Sequence, residues 1–151
     1  AVQIEQIISW CCWPPTGNRG VGYSRANLFG KNFEDYKEEA QKPLIIAQIE
    51  HIKAIENLDE ILKVQNLDAI LIGPYDVSAS MGHTGELKHL DVVNACKKVL
   101  EASNITNVPS GIHLVNADET ELKKVIESGY HFIAYSLDAV FLNKSAVNPY
   151  Q

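Results

Sequence analysis

The chain has 151 residues, 46% of them hydrophobic, which corresponds to about one domain with enough apolar mass for a core. Its net charge of -6 offers no basic surface for nucleic acid or an anionic membrane, so neither is expected as a partner. Three cysteines, two adjacent as Cys11-Cys12, make neither a disulfide framework nor a CxxC metal site and suit a reduced, cytoplasmic setting. No apolar run reaches the ~18 residues of a membrane span, and no basic region followed by an apolar core opens the chain. Ala1 leads straight into helical periodicity, which sets the expectation that the natural N-terminus lies upstream.

Ile4, Ile7, Ile8, Cys11 and Cys12 recur at helical spacing and predict an amphipathic helix over residues 2–12, ended by Pro14-Pro15. The cysteines on that face read as core fillers, because a buried Cys behaves as a small hydrophobe. Residues 15–22 form a loop with three glycines. It is no phosphate loop, since it lacks Lys-Ser/Thr and follows no strand. Residue order favours a solvent loop over a rim loop whose Arg19 meets an anionic ligand. Residues 27–41 read as polar and partly helical, anchored by Phe33 and Tyr36.

A strand over 44–49 follows, then a helix over about 54–64 with Ile55, Leu58, Ile61 and Leu62 on one face. The next strand, 69–72, ends at Gly73-Pro74, which cannot continue a central strand. Residues 75–85 read as a long loop of small residues, and 90–102 as a helix turning Val92, Val93, Cys96, Val99 and Leu100 inward. A short strand over 110–115 precedes a helix that Asn116 caps with Glu119 three residues on, closed by Gly129. The last strand, 132–137, ends in Asp138. Alternation of this kind implies parallel strands joined by crossover helices, either a barrel or an open sheet. No dinucleotide glycine fingerprint follows any strand. Four strands are half of what a (β/α)8 barrel needs.

Two apolar runs, 43–50 and 67–76, each finish on a carboxylate, Glu50 and Asp76. Such runs read as strands buried on both faces, and their C-terminal ends put both acids at one rim. Two carboxylates at a barrel rim suit a hard divalent cation. The plainer readings remain open: Asp76 caps a turn after Gly73-Pro74, and Glu50 is a solvated strand end. Of the five histidines, His51, His83 and His89 sit near this rim, His113 lies on a strand, and His131 lies at the wrong strand end for chemistry. None is assigned as a base.

The stretches Trp13 to Gly22, Gln48-Ile49-Glu50 and Ile72 to Gly82, in this order, resemble the HpcH/HpaI aldolase/citrate lyase family. Residues 56–61, Gly111-Ile112-His113 and 129–134 match as well, so the resemblance covers nearly the whole chain. It implies an α/β fold of parallel (β/α) units, the C-terminal half of a TIM (β/α)8 barrel, with residues 1–151 forming a single partial domain. It also implies a class II, metal-dependent carbon–carbon lyase cleaving 2-oxo-4-hydroxy acids to pyruvate and an aldehyde. By that likeness Glu50 and Asp76 hold Mg²⁺ or Mn²⁺, possibly Co²⁺, and Gln48 sits beside the 2-oxo acid as a catalytic and substrate-binding residue. Backbone amides near Tyr75 and Asp76 receive the substrate carboxylate. A homo-oligomer is implied too.

The pattern also departs from the family. The expected base, a His in an Asp-x-Glu-His-like stretch, and the Arg that grips the 2-oxo acid have no match here, and Arg19 and Arg25 do not replace them. Judged against barrel length, ~100 residues lie before the point where this chain begins. The chain alone is therefore expected to be nearly inactive, supplying the metal half of a site. The alternatives are an inactive barrel remnant that self-associates or binds metal, and a citrate-type condensing or cleaving relative. Neither the aldehyde nor the metal is fixed by these residues.

Overall fold

A computed structural model describes residues 1–147 and 150. Four parallel strands, β1 (Ile46–Ile49), β2 (Ala69–Ile72), β3 (Ser110–Leu114) and β4 (Phe132–Tyr135), lie side by side in chain order. Each strand is followed by helix, so the chain steps one strand at a time in a single direction, the progression of a (β/α) barrel. The register aligns Ile49 with Ile72, and Ile72 with Ile112, which aligns in turn with Ile133. One step further on, Glu50, Gly73 and His113 follow the first three of these four isoleucines at the C-terminal rim.

Alternation along each strand divides the sheet into two unlike faces. Ile49, Ile70 and Ile72 point to the helix side and are fully buried with Ile55, Leu58, Val77 and Val99. Leu44, Ile46, Gln48 and Glu50 share the other face, where Leu44 is 74% and Ile46 44% exposed. β1 is therefore not buried on both faces as its apolar run predicts. It is the edge of the sheet, and the face that a closed barrel would fill is open along it.

The helices cover the closed face. α1 (Val2–Cys11) precedes the strands, and a short 3-10 segment (Arg25–Gly30) leads into α2 (Phe33–Glu39). The helix expected over 54–64 is two pieces, α3 (Ile52–Glu56) and α4 (Leu58–Ile61). Asn57 separates them, its side-chain amide donating to the Lys53 carbonyl at 2.7 Å, which is the local competition that makes Asn a poor helix interior. α5 (Pro74–Ser80) stands where a loop is expected. Pro74 occupies the first turn, where its missing N–H costs nothing, and fully buried Val77 pins the helix to the core.

α6 (Leu90–Thr106) runs longer than expected and ends at Asn107 in the left-handed region, φ 57. Val92, Ala95, Val99 and Ser103 face inward, whereas Val93 is exposed. α7 (Glu119–Glu127) is capped by Asp118 rather than Asn116: Asp118 Oδ1 accepts the amides of Thr120 at 2.8 Å and Glu121 at 2.9 Å. Gly129, φ 91, closes it as expected. β4 stops at Tyr135, and Asp138 opens α8 (Asp138–Ser145) instead of ending the strand. Among the described residues no helix is long and apolar enough to cross a membrane.

Candidate active site

Residues two apart on an extended strand leave it on the same side, so Gln48 and Glu50 stand together at the end of β1. The Gln48 side-chain amide donates to Glu50 Oε2 at 2.7 Å. On the neighbouring strand Gly73 leaves room for them. A Cβ built there would lie 3.2 Å from Gln48 Nε2, 3.2 Å from Glu50 Cβ and 3.5 Å from Glu50 Oε2. The next turn belongs to α5, whose first residues carry Tyr75 and Asp76 back over the rim.

A cleft of about 240 Å³ is lined by Gln48, Gly73, Pro74, Tyr75, Asp76, His113 and Val115. Gln48 thus links two acids: Glu50 through its hydrogen bond, and Asp76 across the cleft. Glu50 itself borders a larger groove of about 600 Å³ that runs down the open side of β1 beside α1. The amides of Tyr75 and Asp76 head a helix, where no preceding carbonyl of that helix receives them. The donor chemistry fits a hard divalent cation. Glu50 and Asp76 are exposed carboxylates, Gln48 adds an amide oxygen beside them at the rim, and Gly73 leaves room for Gln48 and Glu50 where a side chain would crowd them.

The other candidates are placed elsewhere. The Arg19 guanidinium lies 5.3 Å from the Trp13 ring and 5.9 Å from the Tyr36 ring, a packing role that matches the solvent-loop reading. His51 caps α3, its Nδ1 accepting the Lys53 amide at 3.2 Å. His131 accepts the Ser110 amide at 3.4 Å at the bottom of the sheet, and Asp138 Oδ1 accepts the Ala139 amide at 2.7 Å. His83 and His89 stack on each other beyond α5 rather than lining the cleft.

His113 is the residue that pattern reading passed over. Its Nε2 lies 3.4 Å from the Ser136 carbonyl, and it is the imidazole of the cleft. The signal was present in the in-register alternation that puts residue 113 on the face of Glu50, but reading it required the strand pairing. Cys12 is buried and Cys11 half-buried, as expected of core fillers. Burial pushes the Cys96 thiol up to about 11, and burial beside that thiol raises Tyr130 to about 12.

A row of parallel βα units with acids at the C-terminal strand ends defines half of a barrel of the TIM class. The family model for HpcH/HpaI aldolase/citrate lyase matches residues 1–148, and the chain belongs to that family, matching a C-terminal portion of its barrel. It is 32% identical over 145 residues to a hydroxypyruvate/pyruvate aldolase of Roseobacter denitrificans, covering 94% of this chain and 56% of that protein. It is also 32% identical over 137 residues to a 5-keto-4-deoxy-D-glucarate aldolase of Escherichia coli, covering 90% and 53%. Among solved structures, an HpcH/HpaI aldolase/citrate lyase family protein from Burkholderia cenocepacia superposes with a TM-score of 0.87 at 29% identity, covering 95% of this chain and 57% of that one. The chain spans about half the length of the relatives it matches.

Proposed function

We propose that the intact protein is a metal-dependent aldolase that cleaves a 2-oxo-4-hydroxy acid to pyruvate and an aldehyde, and that these 151 residues form one partial domain supplying the metal half of its site. The observation that carries this reading is the Gln48–Glu50 pair packed on Gly73 beside the cleft that holds Asp76. Glu50 and Asp76 would hold Mg²⁺ or Mn²⁺. Bound there, a divalent cation supplies a Lewis acid for negative charge developing on a 2-oxo oxygen.

The chain's own groups do the rest of the positioning. Gln48 holds the Glu50 carboxylate with its N–H and keeps its own carbonyl oxygen for the cleft. The Tyr75 and Asp76 amides, at the positive end of α5, suit the substrate carboxylate. Two relatives are a hydroxypyruvate/pyruvate aldolase and a 5-keto-4-deoxy-D-glucarate aldolase, and both support the aldolase reading of the family. Nothing in the residue pattern matches the family's base, so the isolated chain is proposed to turn over little or nothing. A homo-oligomer is part of the same proposal.

The test is Mn²⁺ binding to the purified chain with and without pyruvate, in the native sequence and in Glu50→Gln and Asp76→Asn. Binding that pyruvate tightens and either substitution abolishes is the expected result. Undiminished Mn²⁺ affinity in both variants, with native far-UV circular dichroism, would remove these residues from the metal site.

A further inference from the structure

Beyond α5 the chain folds back on itself and gathers two histidines and two carboxylates outside the cleft. Fully buried Ser78 anchors this segment: its carbonyl accepts the His83 amide at 2.8 Å, and its hydroxyl accepts the Gly85 amide at 2.9 Å. The Glu86 amide then donates to the His83 carbonyl and the His89 amide to the Glu86 carbonyl, both at 2.9 Å. Each bond returns the chain after three residues, so positions 83, 86 and 89 come to one side. The His83 and His89 rings stack with centroids 3.5 Å apart and 18° between planes. His83, Glu86 and His89 each offer one ligand atom, all within 4.8 Å of one another.

We propose that His83, Glu86 and His89 bind a zinc-class divalent ion, with Asp91 as the outer carboxylate that supports them. Two imidazoles and one carboxylate are the donor set of Zn²⁺ rather than of Mg²⁺, which favours oxygen donors such as those at Glu50 and Asp76. Three protein ligands leave a fourth position for water. Tetrahedral bonds of ~2.0–2.1 Å from zinc to nitrogen or oxygen set donor atoms about 3.3–3.4 Å apart, so the side chains must draw in by up to about 1.5 Å. Their backbone is already fixed by Ser78, and the two His side chains are 28% and 34% exposed, free to tilt from the stack.

The His89 ring adds a consequence that an ordinary ion-pair cluster lacks. Its Nδ1 accepts the Asp91 amide at 3.3 Å, capping α6. A neutral imidazole has one nitrogen lone pair, which cannot serve the amide and a metal together. Metal binding therefore releases the Asp91 amide. The Asp91 carboxylate, 3.8 Å from both His83 Nε2 and His89 Nδ1, is placed to accept a ring N–H in turn.

The experiment is a calorimetric Zn²⁺ titration of the full chain carrying Glu50→Gln and Asp76→Asn, which takes the cleft carboxylates out of the count. One equivalent should bind, with Mg²⁺ in large excess failing to compete. Adding Glu86→Gln or His89→Gln should each weaken binding at least about 100-fold, the top of the range for losing even an outer partner. The Glu86 backbone bonds are kept in Glu86→Gln, and its carboxylate reaches only His83 Nδ1, at 3.9 Å, so that variant should keep its far-UV spectrum. The Asp91 amide resonance should move on Zn²⁺ addition. Absence of Zn²⁺ binding, binding indifferent to both substitutions, or a stationary Asp91 resonance overturns the proposal. None of these outcomes touches the Mn²⁺ reading of Glu50 and Asp76.

Discussion

The Gln48 amide and the Glu50 carboxylate are joined by a 2.7 Å hydrogen bond on the open face of β1. A carboxylate at an exposed strand end would otherwise rotate freely, and holding it costs side-chain entropy at the moment a ligand binds. Gln48 removes part of that cost in advance. Gln48→Leu should therefore weaken Mn²⁺ binding by about 10-fold, within the range seen for outer partners of metal ligands. The Gln48 side chain is exposed, so thermal unfolding should move little. A titration beside a melting curve separates the two effects, and unchanged Mn²⁺ affinity would deny Gln48 its orienting role.

Gly73 is tested by the opposite change, an added methyl. Its backbone, φ -102 and ψ 85, is open to other residues, so Gly73→Ala carries no left-handed strain. The methyl would instead press on Gln48 and Glu50 from 3.2 Å and displace the hydrogen-bonded pair. The stability cost should stay near the low end of overpacking, about 1 kcal/mol, because the exposed Gln48 side chain can give way. Mn²⁺ affinity should fall by more than that stability change accounts for. A loss of stability with metal affinity preserved would show that Glu50 needs no such clearance.

The rim acids and the βα alternation were legible because both rest on local rules. An apolar run ended by an acid and followed by helical spacing needs no knowledge of the partner strands. The open face of β1 was not legible: an edge strand and a central strand share the same apolar run, and only pairing separates them. α5 was hidden by its composition, since Tyr75 to Ser80 is rich in small and hydroxylated residues that favour turns. Ser78 and Ser80 turn their hydroxyls onto the carbonyls of Tyr75 and Val77, at 2.6 and 2.8 Å, inside a helix that buried Val77 holds in place. Asn116 and Asp118 are equally good caps by type, and the choice fell to the residue that the chain delivers to the helix start. The His83–Glu86–His89 gathering depends on Ser78 bonds that spacing alone does not reveal.

Gly111 separates a packing requirement from a conformational one. It is buried in β3, and a Cβ there would run into the ring carbons of Phe132 on the adjacent strand. Phe132 is half-buried, so its ring must shift to make room. Gly111→Ala should therefore destabilise by about 1–3 kcal/mol through overpacking. Trimming the ring in Gly111→Ala with Phe132→Leu should recover part of it, because the two positions share one contact. Additive losses in the double mutant, measured by urea unfolding, would place the strain elsewhere.

Asp118 gives a pH dependence whose sign is fixed by its cap. The amides of Glu121 and Thr120 donate to its carboxylate and hold its pKa below the ordinary 3.8, with Lys124 and Lys144 adding attraction. A carboxyl whose folded value is depressed stabilises the fold fully above its unfolded value and loses that contribution as pH falls through the folded one. The capped start of α7 should thus be favoured at neutral pH and progressively lost on acidification below about 3.8. Asp118→Asn keeps an acceptor oxygen for the amides but carries no charge to titrate. The difference in Tm between the native chain and this variant should be constant near neutrality and shrink as pH drops through the lowered value. A difference that grows on acidification, or one that stays flat to pH 2, would mean that charge at position 118 plays no part in holding α7.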